Sequence, residues 1–359
     1  PLYGTRCINP VGMYDSIKVN EVQGRYLPPE ILHKVLPDIS MGGSLEVLGH
    51  SVQNRPIPSV HLGNGPIRVL VWSQMHGNES TTTKALLDLM RGFSTKQVES
   101  LSSLELLIIP MLNPDGAAAY TRLNANAVDL NRDALTLSQP ESVLLRKAFE
   151  DFRPHFCFNL HDQRSLYGVG DPPDAATLSL LAPAADPERS FPVNREVAAR
   201  LASHLADALG DEIGIGRYDD TFNMNCVGDF FQAQGVPTLL FEAGHYPGDY
   251  QRETSRYYLY RALITSLQAI QSDTFQGFTL SHYQAIPENK KCFVDILIRN
   301  AHILTHDYVK GQDIVIRYEE RLSGNHIDFK PQIAETGKLG HLSGHKEWDL
   351  TRSEDLAAF

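Results

Sequence analysis

The chain has 359 residues, 42% of them hydrophobic and 21% charged, so it is long enough to bury a large core. No run approaches the roughly 20 apolar residues that a membrane helix needs, and a formal net charge of −11 argues against a nucleic-acid partner gripped through phosphates. Cys7, Cys157, Cys226 and Cys292 are scattered, with Cys157 and Cys226 in apolar surroundings, and they read as reduced thiols of a cytoplasmic protein.

Residues 1–44 carry prolines and glycines around one helical patch, Pro29 to Val35, and read as an N-terminal arm without chemistry. Strand-like runs follow: LEVLG from Leu45, then IPSVHLG, then IRVLVWS, with Gly63, Asn64 and Gly65 marking a turn before the third. The stretch VLVWSQMHGNES, Val69 to Ser80, reads as a short apolar strand, a polar turn holding His76 and Glu79, and the start of a helix. That helix places Leu86, Leu87 and Met90 on one face, and LELLIIP from Leu104 is a continuous apolar strand buried on both sides. Asn113 to Asp133 is long, polar and poor in period, yet it follows a buried strand directly, which is where sites are built. Glu141 to Phe152 is helical, Phe156 to Leu160 is a strand that presents His161, and Asp171 to Pro192 is a proline-rich excursion with the character of a lid or rim. Arg195 to Leu209 is an amphipathic helix, Gly235 to Phe241 a buried strand, and Tyr250 to Ile270 a long helix.

Strands alternating with helices predict an α/β fold: a mostly parallel or mixed central sheet flanked by helices over 45–274. Beyond it, FVDILIRNAHIL and DIVIRYEERL have strand character, so 275–359 reads as a small β-rich C-terminal appendage.

A histidine and a carboxylate separated by two residues, at the carboxyl end of a strand, can point at one ion. Zinc accepts that donor set, and its catalytic sites take three protein ligands. His161 is the best third candidate, because neighbouring parallel strands deliver their carboxyl ends to one crevice.

His76-Gly77-Asn78-Glu79, Asn113-Pro114-Asp115-Gly116, Arg122, Asp129-Leu130-Asn131-Arg132, His161 and Glu242 stand in an order that resembles the zinc metallocarboxypeptidase family typified by carboxypeptidase A. The short interval from Glu79 to His161 is nearer its bacterial and cytosolic-type members than the digestive enzymes. The resemblance implies one zinc ion on His76, Glu79 and His161, a ligand set known for carboxypeptidase A. It assigns the proton-shuttling base to Glu242 and the developing oxyanion to Arg122. It assigns the terminal carboxylate of a peptide substrate to Asn131 and Arg132, and a substrate-covering tyrosine to the neighbourhood of Tyr218. Parts of Thr221 to Phe231 and of the strand ending at Glu242 are expected to line the specificity pocket, where Asp219, Asp220 or Asp229 could select a cationic side chain. Asp162 could hold a second metal or orient a neighbour; His302 with His306 and His341 with His345 read as surface pairs.

The leading expectation is a zinc-dependent hydrolase that removes a C-terminal residue from a peptide with a free carboxylate. Its rivals are an amidohydrolase resembling aspartoacylase and succinylglutamate desuccinylase, which share the HGNE start, and a zinc-holding scaffold without turnover.

Overall fold

The computed structural model describes residues 10–98, 101–304 and 308–358. Cys7 and His306 lie outside them. Helices α1 (Pro10–Ile17) and α2 (Pro29–Ile39) lead into strands β1 (Gly43–His50), β2 (Pro56–Gly63) and β3 (Ile67–Ser73). There follow α3 (Thr81–Ser94), β4 (Leu104–Ile109), α4 (Pro114–Ala119), α5 (Pro140–Phe152) and β5 (Phe156–Asp162). Next come β6 (Tyr167–Gly170), β7 (Pro173–Leu181), α6 (Val193–Leu209), β8 (Gly214–Arg217), α7 (Val227–Ala233) and β9 (Thr238–Ala243). The chain closes with α8 (Glu253–Ser272), α9 (Leu280–Ala285), β10 (Lys290–Lys291), β11 (Phe293–Arg299), β12 (Asp313–Ser323), β13 (His326–Gly337), β14 (Ser343–Asp349) and α10 (Ser353–Ala358).

The central sheet is mixed, in the order β1-β2-β4-β3-β5-β9-β7-β6-β10, with β8 on β7. Its middle is parallel: β4 with β3, β3 with β5 and β5 with β9. These strands read as near-continuous apolar runs because both faces are covered. Val69 and Val71 of β3 enter the core beneath α3, α6 and α8, whereas Leu70 and Trp72 enter a second core beneath α5 and α7. The turn at Gly63 does not make a hairpin, because β4 lies between β2 and β3.

Two stretches differ from their sequence-based reading. Asp171 to Pro192 is not a lid: it supplies β7, antiparallel to β9 and parallel to β8, with Ala175 to Leu181 buried. Only the four residues Thr177-Leu178-Ser179-Leu180 alternate, too short a run among prolines to announce a strand. The N-terminal arm is fused to the core rather than leading up to it. Tyr14, Ile17, Val19, Val22 and Leu27 are buried there, and the fully buried Asp88 of α3 accepts from Arg256 of α8, the Tyr14 hydroxyl and the Val19 amide.

The appendage is a four-stranded sheet, β13-β12-β11-β14, in which the polar C-terminal stretch contributes β14, parallel to β11. The β12–β13 hairpin turns at Gly324 and Asn325, and Gly324 takes the positive φ of 58° that favours glycine. Tyr318 and Phe329 pack edge-on against Tyr250 of the α/β body, at 5.1 and 5.5 Å between ring centres. Asp295 of β11 accepts from Ser165 and Tyr250, so polar contacts reinforce that seat. His345 belongs to the same seat and is not a surface residue: its ring stacks on Phe293, and its Nε2 bonds the Ser165 carbonyl oxygen.

Lys84 of α3 is fully buried, and its ammonium has no hydrogen-bond partner among the described residues. Burial holds its pKa down to about 7, with the Glu253 carboxylate opposing that and the Arg256 guanidinium adding to it. Between about pH 7 and the ordinary lysine value near 10.4 the unfolded chain therefore binds the extra proton, so stability rises with pH across that window. Lys84→Met should flatten this rise, which is worth about 1.4 kcal/mol per unit of pKa displacement, in urea titrations at pH 7 to 10. An unchanged slope in the variant would show that Lys84 is charged and compensated in the fold.

Candidate active site

His76 stands three residues beyond the end of β3, His161 lies at the end of β5, and Glu242 lies at the end of β9. Register fixes the last two side by side, since His161 pairs with Glu242 across β5 and β9. The HGNE turn is held from behind. Gln74 takes a positive φ of 52° and donates its side-chain amide to the Gly77 carbonyl, and the Glu79 amide closes on the His76 carbonyl. Gly77 is required because a Cβ there would lie 1.9 Å from the Gly116 carbonyl carbon. The NPDG turn thus packs directly on the HGNE turn, and Asn113 caps α4 through the Gly116 amide while donating to the Met75 carbonyl.

Glu79 is shared by both histidines: His76 Nδ1 is 2.9 Å from Oε1, and His161 Nδ1 is 2.9 Å from Oε2. The two Nδ1 atoms are 3.1 Å apart, and one donor atom from each of the three residues lies within 4.8 Å of the others. Ligand atoms held tetrahedrally about 2.0–2.1 Å from zinc stand roughly 3.3 Å apart, so this cluster fits such an ion with little movement. His76 Nε2 lies 3.0 Å from Asp129, an arrangement that leaves Nδ1 facing the cluster. The Asp162 amide donates to Glu79, while the Asp162 carboxylate accepts from Thr81 and Thr82, capping a helix that its own Ser80 does not cap. Asp162 therefore takes the orienting role rather than that of a second metal ligand.

His76 and His161 are each 2% exposed, and Glu79 and Glu242 each 9%, so the charges here are largely desolvated. Burial disfavours the His76 imidazolium, but the Glu79 and Asp129 carboxylates outweigh it and raise its pKa. Burial also disfavours the Glu79 carboxylate, yet the two histidines hold it well below the usual range. For Glu242 burial is reinforced by the Glu79 and Asp162 charges, and its pKa stands well above the carboxylate norm. No hydrogen bond satisfies the Glu242 carboxyl among the described residues, which leaves both oxygens available to the cleft.

The remaining expected residues converge on the same cleft, of about 600 Å³. Arg122 bonds Asp129 at 3.0 Å and reaches Glu79 at 3.5 Å. Asn131 accepts from the Val227 amide at the start of α7, and Arg132 donates to the Asn131 carbonyl and the Cys226 sulfur. Tyr218 follows β8, lines the cleft, and has its hydroxyl 3.0 Å from that of Tyr167.

Thr221 to Phe231 does not line this cleft. Asp219 binds Thr221, Asp220 binds Arg189 and Arg195, and Asp229 accepts from the Asn223 amide, with burial pushing its pKa up to about 6. Residues that sequence reasoning gave no role occupy the wall: Arg25 from the N-terminal arm, Arg164 beyond β5, and Tyr318, Glu319 and Glu320 from β12. The sequence offered no local motif for any of them.

Residues 37–136 match the profile of the zinc carboxypeptidase family. A metallocarboxypeptidase from Burkholderia cenocepacia superposes with a TM-score of 0.57 at 18% identity, covering 70% of each chain. Carboxypeptidase A from Helicoverpa armigera gives 0.56 at 15% identity, over 73% of this chain and 80% of that one. These likenesses establish the fold. Carboxypeptidase 2 of Trichophyton rubrum is 30% identical over 100 residues, 26% of this chain and 19% of that protein. The matches span about a fifth of the length of such fungal relatives. The fold is thus that of the solved metallocarboxypeptidases, and just over a quarter of the chain matches the zinc carboxypeptidase profile.

His76→Ala should lower bound zinc from near one equivalent to a small fraction, read by elemental analysis of the purified protein after dialysis. Full occupancy in that variant would remove His76 from the ligand set.

Proposed function

We propose that the protein is a cytoplasmic metallocarboxypeptidase that uses one zinc ion to hydrolyse the C-terminal peptide bond of a substrate with a free terminal carboxylate. The observation that carries this reading is the placement of an unpartnered, buried Glu242 beside a His76–Glu79–His161 cluster. A metal store or scaffold has no need of such a group.

Zinc held by these three residues would polarise the scissile carbonyl and acidify a water. Glu242 would take the proton from that water onto its carboxylate and pass it to the leaving amine, a role suited by a proton affinity that burial and the neighbouring Glu79 and Asp162 charges raise. Arg122, partly exposed and fixed by Asp129, offers its guanidinium to charge developing on the carbonyl oxygen. Arg132 has no carboxylate partner among the described residues, so its planar fork is free for the substrate terminus, and Asn131 supplies a neutral donor beside it. Tyr218 stands where it can cover the bound peptide.

Mass spectrometry of products from free peptides, C-terminally amidated peptides and N-acyl amino acids, with and without chelator, tests this reading. Chelator-sensitive loss of one C-terminal residue from free peptides alone is expected, and Arg122→Ala should slow it about 10²–10³-fold with zinc retained. Acyl release from N-acyl amino acids would replace the proposal with the amidohydrolase.

A further inference from the structure

The cleft carries four arginines, and their commitments differ. Arg25 is paired with Glu320 at 3.0 Å, and Arg122 with Asp129 at 3.0 Å. Arg132 touches only the Asn131 carbonyl and the Cys226 sulfur, while Arg164 makes no hydrogen bond or ion pair among the described residues. The wall carboxylates make no direct ion pair with these two, being committed elsewhere. Glu320 is held by Arg25 and Tyr120, Glu319 by Arg321 at 2.7 Å, and Asp162 by the first amides of α3. Two guanidiniums therefore face the cleft with no ion pair of their own among the described residues, although Glu320 lies close enough to feel the charge of Arg164 and Asp229 that of Arg132.

They belong to different ends of it. Arg132 follows Asp129, the partner of His76, and lies against the start of α7. Arg164 follows His161 by three residues and borders a second recess under the β12–β13 hairpin with Tyr318, where the guanidiniums of Arg25, Arg164 and Arg252 outnumber the carboxylates of Asp295 and Glu320. The Tyr318 hydroxyl there has no hydrogen-bond partner among the described residues, so it is a second free donor beside Arg164. If Arg132 receives the terminal carboxylate, the acyl part of the peptide is what remains to run toward the C-terminal sheet.

We propose that Arg164, walled by Tyr318 of β12, recognises an anionic group on the acyl side of the scissile bond. The favoured substrate is then a peptide with an acidic side chain one or two positions before its C-terminal residue. The appended sheet becomes a specificity wall rather than a separate module. This rests on the carboxypeptidase reading above. Charge-assisted bonds to a guanidinium exceed neutral ones, and the exposed position of Arg164 makes the effect sensitive to salt.

The test compares kcat/KM for N-acetylated peptides that share one C-terminal residue and carry Glu or Gln at the first or second position upstream. Zinc-loaded protein is expected to prefer Glu by about tenfold or more at one of these positions, with the preference shrinking at high salt. Arg164→Ala should bring the Glu-to-Gln ratio near unity, and Arg164→Lys should keep part of it; zinc content and melting temperature report whether each variant is folded. Hydrolysis without a Glu preference, or a preference that survives in R164A, overturns this inference and leaves the carboxypeptidase reading standing. If no peptide is cleaved, that reading fails and the acyl-side subsite fails with it.

Discussion

Everything at the site depends on the parallel pairing of β3 with β5 and of β5 with β9. Parallel neighbours end at the same edge of a sheet, so three apolar strands with no chemistry of their own bring His76, His161 and Glu242 to one place. Two buried cores, one on each face, fix the height of these strands, because a slip would move Trp72, Phe158 and their neighbours out of packed positions. The Glu79 carboxylate completes the arrangement. It bonds both histidines and the Asp162 amide, while Asp162 in turn caps the helix that begins just after Glu79. Ligand turn and helix start are therefore one hydrogen-bonded unit, and its charges add to the effect of Glu242's own burial in raising the pKa of that neighbour.

The two ends of the chain close on this unit from outside. The N-terminal arm is pinned by the buried Asp88–Arg256 pair, and it carries Arg25 to the cleft wall, where its carbonyl accepts from Ser80. The C-terminal sheet carries Glu320 to the same point, and Arg25, Tyr120 and Glu320 join arm, NPDG helix and appendage. A buried ion pair contributes little net stability when complete but is costly to break on one side. These pairs therefore serve best as locks that fix which surfaces meet.

Residues close to the His76–Glu79–His161 cluster were legible in the sequence because each stands at the end of a strand with a recognisable apolar run, or in the polar loop that follows one. His76, Glu79, Arg122, Asn131, Arg132, His161, Tyr218 and Glu242 all reach one cleft. What stayed hidden was long-range. Nothing near Arg25 or Glu320 in sequence announces that they meet across 295 positions. The strand β7 was hard to see because its alternation, Thr177-Leu178-Ser179-Leu180, is only four residues long and prolines flank it on both sides. The aspartates at 219, 220 and 229 were plausible specificity residues until their partners on neighbouring elements were known. His345 was misread for the same reason, since its stacking partner and its carbonyl acceptor come from other parts of the chain.

The most direct measurement is a zinc-edge anomalous difference map from crystals of the zinc-loaded protein. A single peak enclosed by His76, Glu79 and His161, with Glu242 facing it across the cleft, is the predicted result. A peak elsewhere, for example between His76 Nε2 and Asp129, would contradict the ligand assignment and the chemistry built on it.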